Sequence, residues 1–385
     1  MKAWSLLVIV SSVALFAAAC GGTSAPGSPA AAASSAPTGS SAPPTSVQAS
    51  AASPALQAII DGAKKEGEID LVWPTALIGA NVQPYIDAFN KTYGLNTSVK
   101  FTPGPSMPVL AAKLIQEVQT GRTPETDIYL GASDPFAPMV KANAAAETDW
   151  SWAPNLTPKL VAPKGVGVIV QDGVDGITYN TNAVKGALVP KTLQDLLKPQ
   201  FKGRLASTSY AAGFPYLASP DMWGEQRTFD YLTKFSAQVS GLMRCSETDR
   251  VASGEFDAFA IDCGLTDSLS TVAKGAPMQI IVPTDAATID YFYAAIPKGA
   301  AHPNTAKLLI NFLDSRAGQD LMYKYSLSDT HLIPGSHAAK YLATVQASGA
   351  KIEEIDLQWV LNQGDKISTW QKRAQQILQA GAKKK

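Results

Sequence analysis

Side chains that commonly carry out catalysis or bind metals are few in this sequence and lie far apart. Among its 385 residues are three histidines and three cysteines, which are His302, His331, His337, Cys20, Cys245 and Cys263. No His-Glu-x-x-His, Gly-x-Ser-x-Gly, P-loop or Cys-x-x-Cys pattern occurs. Zinc hydrolysis, serine catalysis, phosphate chemistry and thioredoxin-type redox chemistry therefore each lack their central motif. The sequence predicts no cofactor and no metal site, and a secreted enzyme of unrecognised type remains an alternative.

The first cysteine ends an export signal at residues 1–20. Lys2 supplies a positive charge, residues 6–16 form a short apolar run, and Ala17, Ala18 and Ala19 precede Cys20. This order and length are typical of a signal peptide rather than a spanning helix. Small residues before a cysteine resemble the lipobox of bacterial lipoproteins, in which the cysteine is lipidated and becomes the mature N-terminus. Ordinary secretion with cleavage after Ala19 is the alternative.

Residues 21–52 have the composition of a flexible tether. Apart from Val47 and Gln48 they are Gly, Ala, Ser, Thr or Pro, so they cannot form a hydrophobic core. As a random coil this segment would span roughly 30 Å. A lipidated Cys20 followed by such a leash predicts a domain anchored to the outer face of the cell membrane.

The other two cysteines, Cys245 and Cys263, are expected to form a disulfide. Two cysteines in an oxidising compartment pair by default. They would close a loop of nearly twenty residues, which is worth about 3 kcal/mol by chain entropy. Two buried free thiols are the alternative.

Charge and length exclude further classes of protein. Lys and Arg total 32 and Asp and Glu total 32, so the formal net charge is zero. A protein that binds duplex nucleic acid would need a basic excess. A single core rarely grows beyond about 250–300 residues, so two packed units are expected.

Strand and helix patterns alternate along the folded part. Ser53 can cap a helix that has Pro54 at its first position. We predict strands at 69–73, 98–101, 127–130, 165–170, 176–179, 204–207, 256–261, 278–282 and 291–296. Helices are predicted at 82–93, from 106 to 121, at 193–197, 229–235 and 303–313, and over most of the last 35 residues. This alternation predicts an α/β fold with mainly parallel sheets.

Several segments, in this order, resemble one family. They are residues 63–67 (AKKEG), 124–128 (PETDI), 176–181 (GITYNT), 195–204 (DLLKPQFKGR), 253–258 (SGEFDA), 302–307 (HPNTAK) and 312–315 (FLDS). The chain resembles extracellular solute-binding proteins of ABC importers in the type II periplasmic-binding class. It is most similar to the iron(III), thiamine, polyamine and phosphonate binders of that class.

The resemblance implies two α/β lobes, two crossover strands between them and a ligand cleft. Lobe one would comprise residues 53–177 and 297–385, and lobe two residues 178–296. The implied function is capture of a small polar or anionic organic solute by hinge closure, and its delivery to the permease. The implied partners are the ligand, the transmembrane subunits and, through the lipid, the membrane. We expect a monomer that does not bind nucleic acid.

In such a fold the ligand contacts come from loops between strands and helices. The polar and aromatic candidates in these loops are Trp73, Ser106, Ser133, Ser207, Ser209, Tyr210 and Thr266. Hydroxyls and free N–H groups at helix starts suit an anionic or polar ligand. Each Ser or Thr could equally be a helix cap, and Trp73 and Tyr210 could equally be core residues.

Arg244 precedes Cys245 in a segment close to the expected cleft. Its guanidinium would clamp a carboxylate or phosphonate, and a solvated side chain is the alternative.

Tyr291 and Tyr293 are two residues apart and would share one face of a strand. They loosely resemble the phenolate ligands of iron(III)-binding relatives, although those relatives use an adjacent Tyr-Tyr pair that this chain lacks. A ferric-iron binder is therefore the first alternative function.

Overall fold

The computed structural model describes residues 52–382. The predicted signal peptide, Cys20 and almost the whole tether lie outside the described residues. Strands and helices alternate in the described part, which confirms the predicted α/β class. None of the helices in this part is long and apolar enough to cross a bilayer.

The strands of residues 52–382 are short and largely buried. They are β1 (Glu68–Trp73), β2 (Ser98–Pro103), β3 (Tyr129–Ala132), β4 (Val168–Val174), β5 (Ile177–Asn180), β6 (Leu205–Thr208), β7 (Val239–Met243), β8 (Ala258–Ala260), β9 (Met278–Ile281), β10 (Ala287–Ala295) and β11 (Ile352–Ile355).

The helices of the same residues cover the sheet faces. They are α1 (Pro54–Glu66), α2 (Thr75–Ile78), α3 (Gln83–Tyr93), α4 (Met107–Gln119), α5 (Ser133–Lys141), α6 (Phe214–Leu217), α7 (Gly224–Ser236), α8 (Asp249–Ala252), α9 (Thr266–Ala273), α10 (Pro303–Leu313), α11 (Arg316–Ser326), α12 (His337–Ala347), α13 (Leu357–Gln363) and α14 (Lys366–Ala382). Short 3₁₀ helices lie at Pro163–Gly165, Gly186–Leu188, Leu193–Leu197 and Pro199–Phe201.

The strands form the sheets of two lobes. In the first lobe β10 pairs in parallel with β11 and antiparallel with β3 and β4. The parallel pair β1–β2 lies beside β3, where the Asp127 N–H donates to the Asp70 carbonyl at 2.8 Å. The second lobe has one five-stranded sheet in the order β7-β6-β8-β5-β9.

The chain crosses between the two sheets between β4 and β5 and again between β9 and β10. The first crossing lies close to the predicted boundary at 177. The second differs from the prediction, because β10 pairs only with first-lobe strands and the second lobe therefore ends before residue 287 rather than at 296. β10 is buried on both faces over most of its length, which holds it within the first sheet.

The last helix also differs from the predicted division of the chain. Helices α10, α11 and α13 pack on the first lobe, but α14 packs against α6, α7 and β7 of the second lobe. Its buried stripe includes Ile367, Trp370 and Leu378, and the Trp370 indole N–H donates to the Glu225 carboxylate at 2.9 Å. The chain therefore passes between the lobes a third time, just after Gly364.

Glu66 gives a physical reason for the AKKEG segment. Its carboxylate accepts hydrogen bonds from the backbone N–H groups of Asn304 and Thr305 at 3.0 and 2.7 Å, and from both of their side chains. These amides belong to the first turn of α10, where N–H groups have no partner within the helix. The end of α1 thus caps the start of α10.

Replacing Glu66 should therefore destabilise the first lobe. We expect Glu66→Ala to lower the free energy of unfolding by about 2 kcal/mol, because two amides of a helix N-terminus lose a charged acceptor. Urea denaturation measures this loss. Lys65→Ala, at the exposed neighbouring position, is the matched control, and an equal loss in both variants would contradict the capping role.

A disulfide joins Cys245, after β7, to Cys263, after β8, with Cα atoms 5.8 Å apart. The Tyr210 hydroxyl lies 2.7 Å from the Cys245 sulfur and accepts the Cys245 N–H at 3.3 Å. The disulfide and the hydrogen bonds of Tyr210 together hold three loops at the carboxyl edge of the second sheet.

Loss of this disulfide should weaken the second lobe. With Cys20→Ser as the background, the unfolded and unreduced chain should contain no titratable thiol. Reduction should lower the melting temperature, with a stability loss of about 3 kcal/mol. Two titratable thiols before reduction would show that Cys245 and Cys263 are free.

Candidate functional site

Asp175 occupies the first crossing between the lobes. Its N–H donates to the Thr288 carbonyl at 3.1 Å, and the Thr288 hydroxyl donates to its carboxylate at 2.8 Å. Thr288 is the second residue of β10 and lies just after the other crossing. These two bonds hold the two crossing segments together at the base of the interlobe cleft.

Two further aspartates of the first lobe belong to the same region. Asp290 follows Thr288 by two residues in β10, so both project from the same face of the strand. Asp134 is the second residue of α5, which lies beside β10 because the Ser133 hydroxyl donates to the carbonyls of Tyr291 and Ile355 at 3.2 and 2.7 Å. The first lobe therefore places two carboxylates close to Asp175.

The second lobe contributes Tyr216 from α6. Gly213, at the start of that helix, has φ 71°, and a Cβ there would lie 2.8 Å from the Asp175 carboxylate. Only a glycine allows α6 to approach the crossing this closely. The Tyr216 ring meets the first-lobe Trp359 edge to face, with ring centroids 5.7 Å apart.

The electrostatics of this group are dominated by negative charge. Burial raises the pKa of Asp175 to about 7, partly offset by the Thr288 hydroxyl and reinforced by Asp262. Asp134 is exposed, and partial loss of hydration raises its pKa. Asp290 is half-buried, and lost hydration followed by repulsion from Asp175 and Asp134 raises its pKa well above the usual range.

A gap between the lobes lies beside the first crossing. It encloses about 120 Å³ and is lined by Asp172, Gly173 and Val174, by Gly264, Leu265 and Leu269, and by residues of 323–341. Asp172 fixes one wall, since its carboxylate accepts the N–H and the hydroxyl of the 330–331 segment at 2.7–2.8 Å. A larger cavity of about 340 Å³ lies at the amino ends of β1 and β2, far from the crossings.

Several predicted ligand residues serve the packing of the first lobe instead. Trp73 is fully buried at the end of β1, because its indole N–H is satisfied by the Ile128 carbonyl at 2.8 Å and the ring can turn inward. The Ser133 hydroxyl donates to two backbone carbonyls of the first lobe, as described above. Ser106 is exposed before α4 and makes no side-chain cap.

The predicted second-lobe residues are dispersed. Ser207 is buried within β6, Ser209 is exposed, and Thr266 is the half-buried first residue of α9. Tyr210 supports the disulfide. Arg244 is exposed to solvent, and its backbone N–H donates to the Glu247 carboxylate at 3.1 Å.

Tyr291 lies on the opposite face of β10 from Asp290. Its hydroxyl donates to the Glu354 carboxylate at 2.8 Å, and its ring stacks on His331. Tyr293 is also buried, and its hydroxyl accepts the Leu357 N–H at 3.1 Å. Both phenols are thus engaged within the first lobe.

The residues that sequence reasoning missed are Asp134, Asp175, Asp290 and Tyr216. One signal was present, since Asp290 is a charged residue in the otherwise apolar run ATIDYFYAA. Asp175 gave no such signal, because an aspartate next to glycine is typical of an ordinary turn.

The raised carboxyl pKa values predict a pH-dependent stability. Asp175 and Asp262 have folded-state pKa values of about 7 and about 6, above the usual value of about 3.9. The folded state therefore binds more protons than the unfolded state between about pH 4 and 7, and stability falls as pH rises through that window. Histidines 302 and 331, whose pKa values are also raised, act in the same direction.

Calorimetry of the ligand-free protein should thus give a higher melting temperature at about pH 5.5 than at about pH 7.5. Asp175→Asn should reduce this difference, because the amide keeps the Thr288 bond without a titrating group. Asp320→Asn, exposed on α11, is the control. An Asp175→Asn variant with the same pH slope as the original protein would contradict the raised pKa.

Comparison with known proteins identifies a family. A profile of the bacterial extracellular solute-binding proteins matches residues 84–352, well over half of the chain. An uncharacterised protein of Haemophilus influenzae is 31% identical over 144 residues, which are 35% of this chain and 40% of that protein. The Fe(3+)-binding periplasmic protein of Serratia marcescens is 28% identical over 184 residues, which are 45% of this chain and 52% of that protein. The chain thus spans about half, or less, of the curated relatives it matches.

The fold has close counterparts among solved structures. The substrate-binding protein of an ABC transporter from Agrobacterium tumefaciens superposes with a TM-score of 0.62 over 76% of this chain and 92% of that one, at 16% identity. This likeness confirms the predicted periplasmic-binding-protein fold. With the family profile, it also confirms the predicted family: the chain belongs to the bacterial extracellular solute-binding proteins and acts outside the cytoplasm.

Proposed function

We propose that this protein is the solute-binding subunit of an ABC importer and captures a small polar organic solute between its two lobes. The observation that carries the proposal is the arrangement of two lobes joined at the Asp175–Thr288 pair, beside which second-lobe Tyr216 meets first-lobe Trp359 with ring centroids 5.7 Å apart. A ligand that touches groups from both lobes stabilises the closed state, which couples binding to hinge closure.

The proposal includes the location and the partners. Cys20 carries the lipid, and the tether of residues 21–52 lets the domain reach the transmembrane subunits from the outer face of the membrane. The protein acts as a monomer, and it releases its solute chemically unchanged because it is not an enzyme.

Ferric iron is the alternative ligand, favoured by the similarity to the Serratia marcescens protein. The predicted phenol ligands argue against it. Burial raises the pKa of Tyr291 and of Tyr293 above the usual range, and the Glu354 carboxylate reinforces the effect on Tyr291. An iron(III) ion would have to break the Tyr291–Glu354 bond and the Tyr293–Leu357 bond to reach both phenols.

Native mass spectrometry of protein purified without refolding tests the proposal. We expect one bound organic molecule per chain, whose mass is unchanged after prolonged incubation with the protein. Conversion of the bound molecule would place the protein among the enzymes.

Iron loading discriminates the alternative. With iron(III) and a synergistic anion we expect a colourless protein. A tyrosinate-to-iron charge-transfer band that disappears in Tyr291→Phe would instead establish iron binding.

A further inference from the structure

We infer that the gap beside the first crossing is a subsite for an uncharged hydrocarbon group of the solute, about the size of one six-membered ring. The inference rests on the proposed function, since it names the chemistry of one part of the solute that the lobes enclose. The gap differs from the carboxylate-rich region around Asp175, because most of its surface is apolar.

Both lobes contribute walls to this gap. The second lobe supplies Leu265 and Leu269, at the start of α9 and within it. The first lobe supplies Leu327 and Tyr341, and Val174 of β4 lines the gap at the crossing. A group held here contacts both lobes, so its binding stabilises the closed state.

The volume of the gap matches one hydrocarbon ring. It encloses about 120 Å³, and a protein cavity of about 150 Å³ lined by leucine, isoleucine and phenylalanine binds benzene. Tyr341 is 36% exposed although it lines the gap, so the gap opens to solvent beside this residue. A hydrocarbon group that enters removes its own surface and that of the leucines from water, which is a source of affinity.

Two glycines keep the walls of the gap apart. A Cβ at Gly173 would lie 3.0 Å from the Gly264 Cα, so the backbones of the crossing and of the second lobe are in contact there. Gly264 has φ 78°, which also favours glycine. This contact limits how far the lobes can close, and the apolar walls beside it therefore leave room for a ligand.

The carboxylates at the edge of the gap already have partners. Asp329 accepts the N–H groups of His337 and Ala338 at 2.7 Å each. Asp172 accepts the N–H and the hydroxyl of the 330–331 segment, as described above. A charged group would lose hydration in the gap without gaining a strong new partner, whereas a hydrocarbon group has no such hydration to lose.

The backbone on both sides of the gap is strained. Leu265 and Leu327 have φ values of 67° and 55°, in the left-handed region that leucine rarely adopts. They come from different lobes, and both line this gap. Strain of this kind persists where the surrounding structure imposes it, and it is frequent at ligand-binding sites. This coincidence favours a binding site over a packing defect.

Fluorobenzene tests the gap directly, and fluorine NMR of the full chain detects its binding. We expect protein freed of its co-purified solute to bind fluorobenzene, and we expect that solute to displace it. Cyclohexanol, a ring with a single hydroxyl, should also displace it. Inositol, a ring of the same size with a hydroxyl on every carbon, should not, because its hydroxyls would lose their hydrogen bonds to water.

Variants then locate the binding. Leu269→Phe fills the gap and should abolish fluorobenzene binding. Leu269→Ser removes part of the apolar wall and should weaken binding about tenfold. Leu269 is only half-buried, so both variants should fold, and far-UV circular dichroism verifies this. Leu188→Ser, at an exposed leucine of the second lobe, is the matched control and should leave binding unchanged.

Several results would overturn the inference. They are no binding of fluorobenzene, displacement by inositol as effective as that by cyclohexanol, unchanged binding in Leu269→Phe, and failure of the co-purified solute to displace the probe. The proposed function fails separately. A co-purified solute that has no hydrocarbon group and is returned unchanged would preserve the solute-binding role while excluding this subsite. A protein that binds no solute would contradict both.

Discussion

The two lobes of this protein are joined at a hydrogen-bonded pair, Asp175 of the first crossing and Thr288 just after the second. The Asp175 N–H donates to the Thr288 carbonyl at 3.1 Å, and the Thr288 hydroxyl donates to the Asp175 carboxylate at 2.8 Å. Burial raises the pKa of Asp175 to about 7, because a carboxylate loses hydration inside the protein. The placement of the lobes relative to each other therefore depends on this buried pair.

The rest of the fold arranges the two lobes around this pair. The bonds between Asp175 and Thr288 join the two crossing segments, so they move as one hinge. Gly213 lets α6 approach that hinge closely. The third passage of the chain, after Gly364, attaches α14 to the second lobe and limits how far the lobes separate. With a hinge of this kind, a ligand that binds the closed state a few kcal/mol more tightly than the open state shifts the equilibrium toward the closed state.

Much of the scaffold followed from local patterns in the sequence. Ser53 and Pro54 set the start of α1, and the Ser53 hydroxyl accepts the Leu56 N–H at 3.2 Å as expected for a cap. Helix 303–313 was predicted at its observed bounds, because Pro303 and the spacing of Leu309, Phe312 and Leu313 act locally. β7 and β11 were missed, since both are short and only partly buried, which leaves a weak alternation.

The site was less predictable, because it depends on contacts between distant parts of the chain. Residues 134, 175 and 290 come together only through the pairing of β10 with β4 and the placement of α5. Hydroxyls at strand ends gave a plausible set of ligand residues, but Ser133 and Trp73 are satisfied by neighbouring carbonyls. The strands that pair with β10 determine which side chains lie near one another at the crossings. No local pattern in the sequence predicts that pairing.

The central claim is that the two lobes of this chain close on a small solute, and small-angle X-ray scattering of the full chain tests it most directly. The radius of gyration would be compared between protein that carries its co-purified solute and the same protein after removal of the solute. The account predicts a smaller radius of gyration with the solute bound, because hinge closure brings the lobes together. The same radius in both states would contradict it.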